Sequence, residues 1–176
     1  MATALIRKTV LLLHILASVG LFGTVAAFVA LAIAGLSGVD DGPVRSAYWA
    51  GGLITWWLIL PLGFAALATG ILSGLASPWG LFRHYWVVVK LVLTLLILAV
   101  LIIHAFPITH MAELAANGSF GADGMVAQRR QLLMASSAGL LAILAVGVLS
   151  VFKPSGLTRH GWRKQREAQN RDGTGR

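Results

Sequence analysis

Long apolar stretches alternate with short polar ones along the whole chain. Four of them cover about residues 9–36, 48–75, 84–106 and 132–152. Each holds about 20 or more mostly apolar residues, which is the length a helix needs to cross the hydrocarbon core of a bilayer. None shows the strict alternation of apolar and polar positions that is typical of a membrane β-barrel strand. The pattern therefore predicts four membrane-spanning helices.

Turn-forming residues separate the four stretches. The segment Gly38 to Pro43 follows the first, Ser77-Pro78 follows the second, and Pro107 with Asn117-Gly118 follows the third. Glycine, proline and asparagine in such clusters break helices and form turns. Because each connection is short or moderate in length, consecutive helices should lie side by side and antiparallel. The predicted fold is therefore all-α, a four-transmembrane-helix up-and-down bundle.

Most basic residues lie on one side of this predicted bundle. Arg7 and Lys8 precede the first span, and Arg83 lies between the second and the third. The basic residues soon after the fourth span are Lys153, Arg159, Arg163, Lys164 and Arg166. Because short loops rich in lysine and arginine stay in the cytoplasm, we predict that the N- and C-termini are both cytoplasmic.

Arg129 and Arg130 are exceptions, because they lie at the opposite, outer entrance of the fourth span. Long basic side chains near a helix end usually extend to the lipid headgroups. We expect this of both arginines, and the alternative is a clamp for an anion or a haem propionate.

Composition places the chain in the membrane as well. Hydrophobic residues make up 57% of the chain and charged residues 11%, which is too apolar for a water-soluble domain of 176 residues. We divide it into a transmembrane bundle at residues 1–153 and a basic cytoplasmic tail at residues 154–176. The net charge of +8 is mostly next to the membrane, so we expect anionic lipid headgroups as its partners rather than nucleic acid.

Three ionisable residues stand out inside the spans, where such residues are costly and are candidates for function. His14 and Lys90 each lie about 9 Å from the cytoplasmic end of their helix, by a rise of about 1.5 Å per residue. They should therefore share one level. Trp86, Lys90 and His104 fall on one stripe of the third helix, and His104 lies about 21 Å beyond Lys90.

The inner pair allows two interpretations. In the first, a neutral His14 forms a hydrogen bond across helices, with Ser18 or Thr69, and Lys90 extends to the headgroups. In the second, His14 is an axial ligand of a haem iron, and Lys90 is a second ligand or a charge partner. Trp86 would then line the same pocket, between the first and third helices.

A metal site is the candidate for the outer end. His104, His110 and Glu113 offer imidazole and carboxylate groups, which bind zinc or copper. The alternative is a solvated or interfacial polar cluster without a metal.

Small residues and one proline indicate how the helices pack and where one of them bends. Ladders of small residues allow close helix contact in lipid, and they lie at Ala66, Gly70 and Gly74 and at Ala135 and Gly139. Pro61 lies in the middle of the second span and predicts a kink there.

Two resemblances emerge at these residues. Leu13-His14-Ile15 followed by Gly20-Leu21-Phe22, together with Trp86-x-x-x-Lys90-Leu91, resembles the membrane-type protoporphyrinogen oxidases and the wider copper-resistance-D-like group. That resemblance implies haem b bound through His14 and a requirement of the activity for Lys90. The chain departs from the oxidase pattern at Val88 and near Leu101, where that family has histidines.

The second resemblance spans nearly the whole chain. The segment from Pro78 to Lys90 and the ending Lys153-Pro154-x-Gly156-Leu157-Thr158-Arg159-x-Gly161-Trp162 are similar to a family of uncharacterised actinobacterial four-helix integral membrane proteins. It implies no activity. We expect a multi-pass protein of the plasma membrane, which in a bacterium is the inner membrane.

Three functions are consistent with the sequence, and they leave open whether the protein is an enzyme. The first is a haem-binding redox protein of the membrane, with a quinone or a respiratory protein as its electron partner. The second is a non-enzymatic accessory or assembly subunit that contacts a second copy or another membrane protein. The third is metal handling or transport at the outer histidines. Nothing in the sequence indicates a phosphate-binding loop, a nucleophile elbow or paired carboxylates.

Overall fold

The computed structural model describes residues 2–38, 40–76, 84–118, 125–152 and 163. All regular elements in this part of the chain are helical, and four helices are long and apolar enough to cross a membrane. The elements are α1 (Ala2–Ser37), α2 (Asp41–Ile54), a five-residue π-helical segment (Thr55–Ile59), α3 (Leu60–Ala76), α4 (Tyr85–Ala116) and α5 (Val126–Phe152). The second span consists of α2, the π segment and α3, so the four predicted spans are confirmed as helices.

The helices extend beyond the predicted spans at four ends. Helix α1 begins at Ala2 instead of residue 9. The second span begins at Asp41 instead of residue 48, and its Pro43 lies in the first turn, where a missing N–H costs nothing. Helix α4 continues through Pro107 to Ala116 instead of ending at residue 106. A proline inside a helix removes one backbone hydrogen bond, which membrane helices tolerate when other groups compensate. Helix α5 begins at Val126 instead of residue 132.

The four spans form a square in which sequence neighbours are also neighbours in space. Helix α1 packs against the second span and α5, and α4 packs against the same two. Among the described residues, α1 and α4 therefore lie on a diagonal. We call the end near the start of α1 the basal end and the end near Ser37 the apical end.

The second span contains a π-helical turn in its middle, next to Pro61, where the sequence predicts a kink. The N–H of Leu60 donates to the carbonyl of Thr55, five residues earlier, which is the hydrogen bond of a π turn. The irregular turn lies directly before Pro61, which has no N–H to continue the α-helical pattern. Such π bulges are frequent at functional sites.

The core fills the apical half of the bundle. Its buried members are Leu21, Val25, Phe28, Ala32, Val44, Tyr48, Ile59, Ile108, Met111, Ala115 and Leu132. Most of them come from the second half of α1, the beginning of the second span and the end of α4. The polar groups that the sequence singled out on α1 and early in α4 are therefore at the opposite, basal end.

Candidate functional site

His14 lies on α1 and contacts the second span. Its Nδ1 is 3.1 Å from the carbonyl oxygen of Ala66 and 3.2 Å from Oγ1 of Thr69. This is the interhelical hydrogen bond to Thr69 that one of the two interpretations predicts; Ser18 is not the partner.

These contacts determine which nitrogen of His14 carries a hydrogen. The carbonyl of Ala66 can only accept, and the hydroxyl of Thr69 donates its hydrogen to the carbonyl of Ala65. Nδ1 is therefore the donor, and in the neutral ring Nε2 holds the lone pair. The described residues provide no hydrogen-bond partner for Nε2. An imidazole held through Nδ1 in this way is the form that binds a metal through Nε2.

Gly70 makes room for this ring. A Cβ atom at position 70 would lie 3.0 Å from Cε1 of His14 and 3.4 Å from Nδ1. The small residue that the sequence assigned to a helix contact therefore accommodates the histidine. A side chain at this position would push the imidazole away from the Ala66 carbonyl.

Lys90 lies on α4 and is held by the fourth span. Its ammonium group donates to Oγ of Ser150 over 2.6 Å, and the hydroxyl of Ser150 donates onward to the carbonyl of Val146. Lys90 is half-buried, and its ammonium group reaches Ser150 two residues before the basal end of α5. Its positive charge acts on the His14 ring.

One further polar group lies at this level. Oγ of Ser73 is buried, and it has no hydrogen-bond partner in the part of the chain that the structure describes. Ser73 is one turn beyond Gly70 on α3. We call His14, Thr69, Ser73, Lys90 and Ser150 the basal polar cluster. Half-buried Trp86 lies one turn before Lys90, towards the basal end.

The predicted outer metal residues do not come together. The described part of the chain contains no group of three or more His, Asp or Glu side chains that could hold a metal ion. His104, His110 and Glu113 lie on one continuous helix, and the latter two are exposed. Because successive residues turn by about 100°, His104 and Glu113 point to opposite sides of α4.

His104 lines an apolar cavity of about 310 Å³ instead. The walls come from α1, the π segment, α4 and α5, and they include Val25, Phe28, Ile59, Leu101 and Ala135. We call this space the apical cavity. It includes residues of the first and third spans, but it is a different space from the predicted pocket, because His14, Trp86 and Lys90 are not among its lining residues.

Arg129 does not extend to the lipid headgroups as the sequence predicts. It is only 2% exposed and lies over the ring of Tyr48, with its guanidinium carbon 5.7 Å from the ring centre. It therefore packs inside the protein, whereas the neighbouring Arg130 is exposed. Arg45 donates from Nε to the carbonyl of Ala115 and so covers the last turn of α4.

Sequence reasoning missed Ser73 and Ser150 in the basal cluster. Both are hydroxyl residues in largely apolar helices, and such residues usually bond to the carbonyl four positions earlier in their own helix. Ser150 could have been found only together with Lys90, because a lysine inside the membrane requires a polar partner at its own depth.

No family model, no curated protein and no solved structure matches this chain. The interpretation of the site therefore depends on its own geometry.

Proposed function

We propose that this four-span integral membrane protein binds haem b at the basal polar cluster and takes part in membrane redox chemistry. The observation that carries the proposal is the fixed orientation of His14. Its Nδ1 already donates its hydrogen to Ala66 and Thr69, so the lone pair of Nε2 is available to bind a metal ion. Neutral imidazole is a common axial ligand of haem iron.

Two further groups support a ligand at this level. Lys90 supplies a cation at the depth of His14, where it would pair with a haem propionate. Among the described residues the buried hydroxyl of Ser73 has no partner, and a buried polar group without one is costly. A ligand with an oxygen atom at this level would satisfy it.

The residues of the chain have distinct roles in this proposal. Ala66 and Thr69 orient the imidazole, and Gly70 allows it to approach α3. Ser150 positions the ammonium group of Lys90. Bound haem would supply one-electron transfer, with a quinone or a respiratory protein as the electron partner.

The test is the absorption spectrum of protein purified from cells supplied with haem. We expect a Soret band in the wild type and its loss in His14→Ala, because the variant removes the nitrogen donor. His110→Ala is the matched control, since His110 is an exposed histidine on α4, and its spectrum should be unchanged.

A colourless wild-type protein would overturn the haem proposal. So would a band that persists undiminished in His14→Ala. Gly70→Val is a second test, because the valine side chain would displace the imidazole of His14 without replacing any residue of the basal polar cluster. It should shift or remove the band.

An accessory or assembly role is the second candidate, and the exposed tryptophans of the second span favour it. Trp57 is 76% exposed, about 24 Å along its helix from Asp41, although tryptophan prefers the membrane interfaces. It borders a groove formed with Trp49, Trp56 and α4. This role predicts that the protein co-purifies with a stoichiometric membrane partner, and isolation in mild detergent without one would count against it.

We propose, in addition, that both termini are cytoplasmic, as the basic residues predict. The tail at residues 154–176, apart from Arg163, lies outside the described residues. The chain has no cysteine, so single cysteines can be introduced directly. In intact cells, a membrane-impermeant maleimide should label Asn117→Cys, at the apical end of α4. It should label Thr174→Cys only after permeabilisation, and the reverse pattern would contradict the proposed orientation.

A further inference from the structure

We propose that the apical cavity is a binding site for an apolar membrane lipid that carries a hydroxyl donor, and that a reduced quinone is its ligand. The site is separate from the basal polar cluster and does not depend on haem binding there. Three observations carry the proposal: the shape of the cavity, its opening and the kind of polar atoms in its walls.

The cavity is large enough for one ring with the beginning of a chain. Its volume of about 310 Å³ is at the lower end of the range for small-molecule pockets. The α5 wall consists largely of small residues, among them Ala135, Gly139 and Ala142. A Cβ atom at Gly139 would meet nothing within 4 Å, so the predicted close helix contact at this residue is wrong and the space in front of it is open.

The cavity opens to the lipid side of the bundle. Leu96 is 57% exposed and Val100 is 44% exposed, yet both also line the cavity. A ligand can therefore enter from the bilayer between α4 and α5, and a long apolar chain can remain in the lipid.

Thr55, His104 and Ser136 are the polar residues among the described ones that line the cavity, and their side chains can accept hydrogen bonds but have no free hydrogen to donate. Nδ1 of His104 is 2.9 Å from the carbonyl oxygen of Val100, so Nδ1 is the donor and Nε2 of the neutral ring is the acceptor. The hydroxyl of Thr55 donates to the carbonyl of Gly51, and the hydroxyl of Ser136 donates to the carbonyl of Leu133. Both oxygens keep their lone pairs.

A wall with hydrogen-bond acceptors but no free donors distinguishes the two redox forms of a quinone. The ring hydroxyls of a quinol donate hydrogen bonds, and His104 Nε2 can accept one. The carbonyls of the oxidised quinone only accept, and the described residues of the cavity wall offer them no free donor. Burying the quinone carbonyls without hydrogen bonds costs binding free energy, so the cavity should bind the reduced form more tightly.

The experiment measures binding of a decyl-chain benzoquinone to the full-length protein in nanodiscs. The oxidised form is tested in air, and the reduced form is tested without oxygen and with excess dithionite. We expect the quinol to bind at least about tenfold more tightly than the quinone, as one buried hydrogen bond can provide. Equal affinities, or tighter binding of the quinone, would overturn the proposal.

Substitutions locate the site. His104→Leu should weaken quinol binding about tenfold and leave quinone binding unchanged, because it removes the main acceptor and little volume. His110→Leu is the matched control and should bind like the wild type. Weakening of both redox forms to the same extent by His104→Leu would contradict the hydrogen bond.

A second pair of variants tests the cavity without touching a polar group. Gly139→Leu should fill the cavity and abolish quinol binding, whereas Gly147→Leu should not, because Gly147 is exposed on the same helix and also has open space around it. Undiminished binding to Gly139→Leu would place the ligand elsewhere. A polyprenol, which has a hydroxyl but no ring, should not displace the quinol; equal displacement would overturn the assignment to a quinol.

Discussion

Replacing Arg129 with alanine is expected to destabilise the folded bundle by about 3–5 kcal/mol, because it removes a large buried side chain and its contact with an aromatic ring. Arg129 is 2% exposed, and its guanidinium group lies over Tyr48. A desolvated cation–π contact contributes about 2 kcal/mol of that cost. Loss of the packed side chain accounts for much of the rest. Equilibrium unfolding in mixed micelles of a mild detergent and dodecyl sulfate measures the difference.

Arg130→Ala is the matched control, since it removes the same charge from the next residue. Arg130 is exposed, so its replacement should change the free energy of unfolding by no more than about 0.5 kcal/mol. The double variant Arg129→Ala/Tyr48→Leu should cost about 1–2 kcal/mol less than the sum of the single variants, because the two side chains contact each other. Equal costs for the two arginines, or strict additivity with Tyr48, would show that the buried contact does not stabilise the apical end.

The contrast between these two arginines shows what the sequence can predict. Hydrophobic length alone predicts four spans, because every helix in lipid must satisfy its backbone internally over about 20 residues. The helix ends were harder to predict, since α4 continues through Pro107 and α5 begins with the polar turn that contains Arg129. Local sequence does not indicate that Arg129 is buried, because its burial depends on Tyr48 from a different span.

Some features of the candidate site could likewise be predicted from the sequence, and others could not. The shared depth of His14 and Lys90 follows from counting residues from the basal ends of two parallel helices, the first and the third span. Their partners do not, since Ala66 accepts through its backbone and Ser150 lies on the fourth span. His104 was placed with His110 and Glu113 by sequence proximity. Helical rotation separates these three residues and directs His104 to the apical cavity.

Gly52 lies at a close contact between the second span and α4, and Gly52→Ala is expected to destabilise the protein by about 1–3 kcal/mol. A Cβ atom at position 52 would lie 2.6 Å from Cβ of Ala112, which real Cβ atoms essentially never show. Neither atom can rotate away, so the two helices must separate. The cost exceeds the gain of up to about 1 kcal/mol that alanine brings to a helix.

Two further variants separate close packing from helix propensity. Gly23→Ala should be neutral or stabilising by up to about 1 kcal/mol, because a Cβ atom there would meet nothing within 4 Å. The exchange Gly52→Ala/Ala112→Gly should recover much of the lost stability, since it moves the single methyl group from one helix to the other. If the exchange is no more stable than Gly52→Ala alone, the contact between these two helices is not what limits residue 52. If Gly23→Ala is as damaging as Gly52→Ala, the effect belongs to glycine in a membrane helix rather than to this crossing.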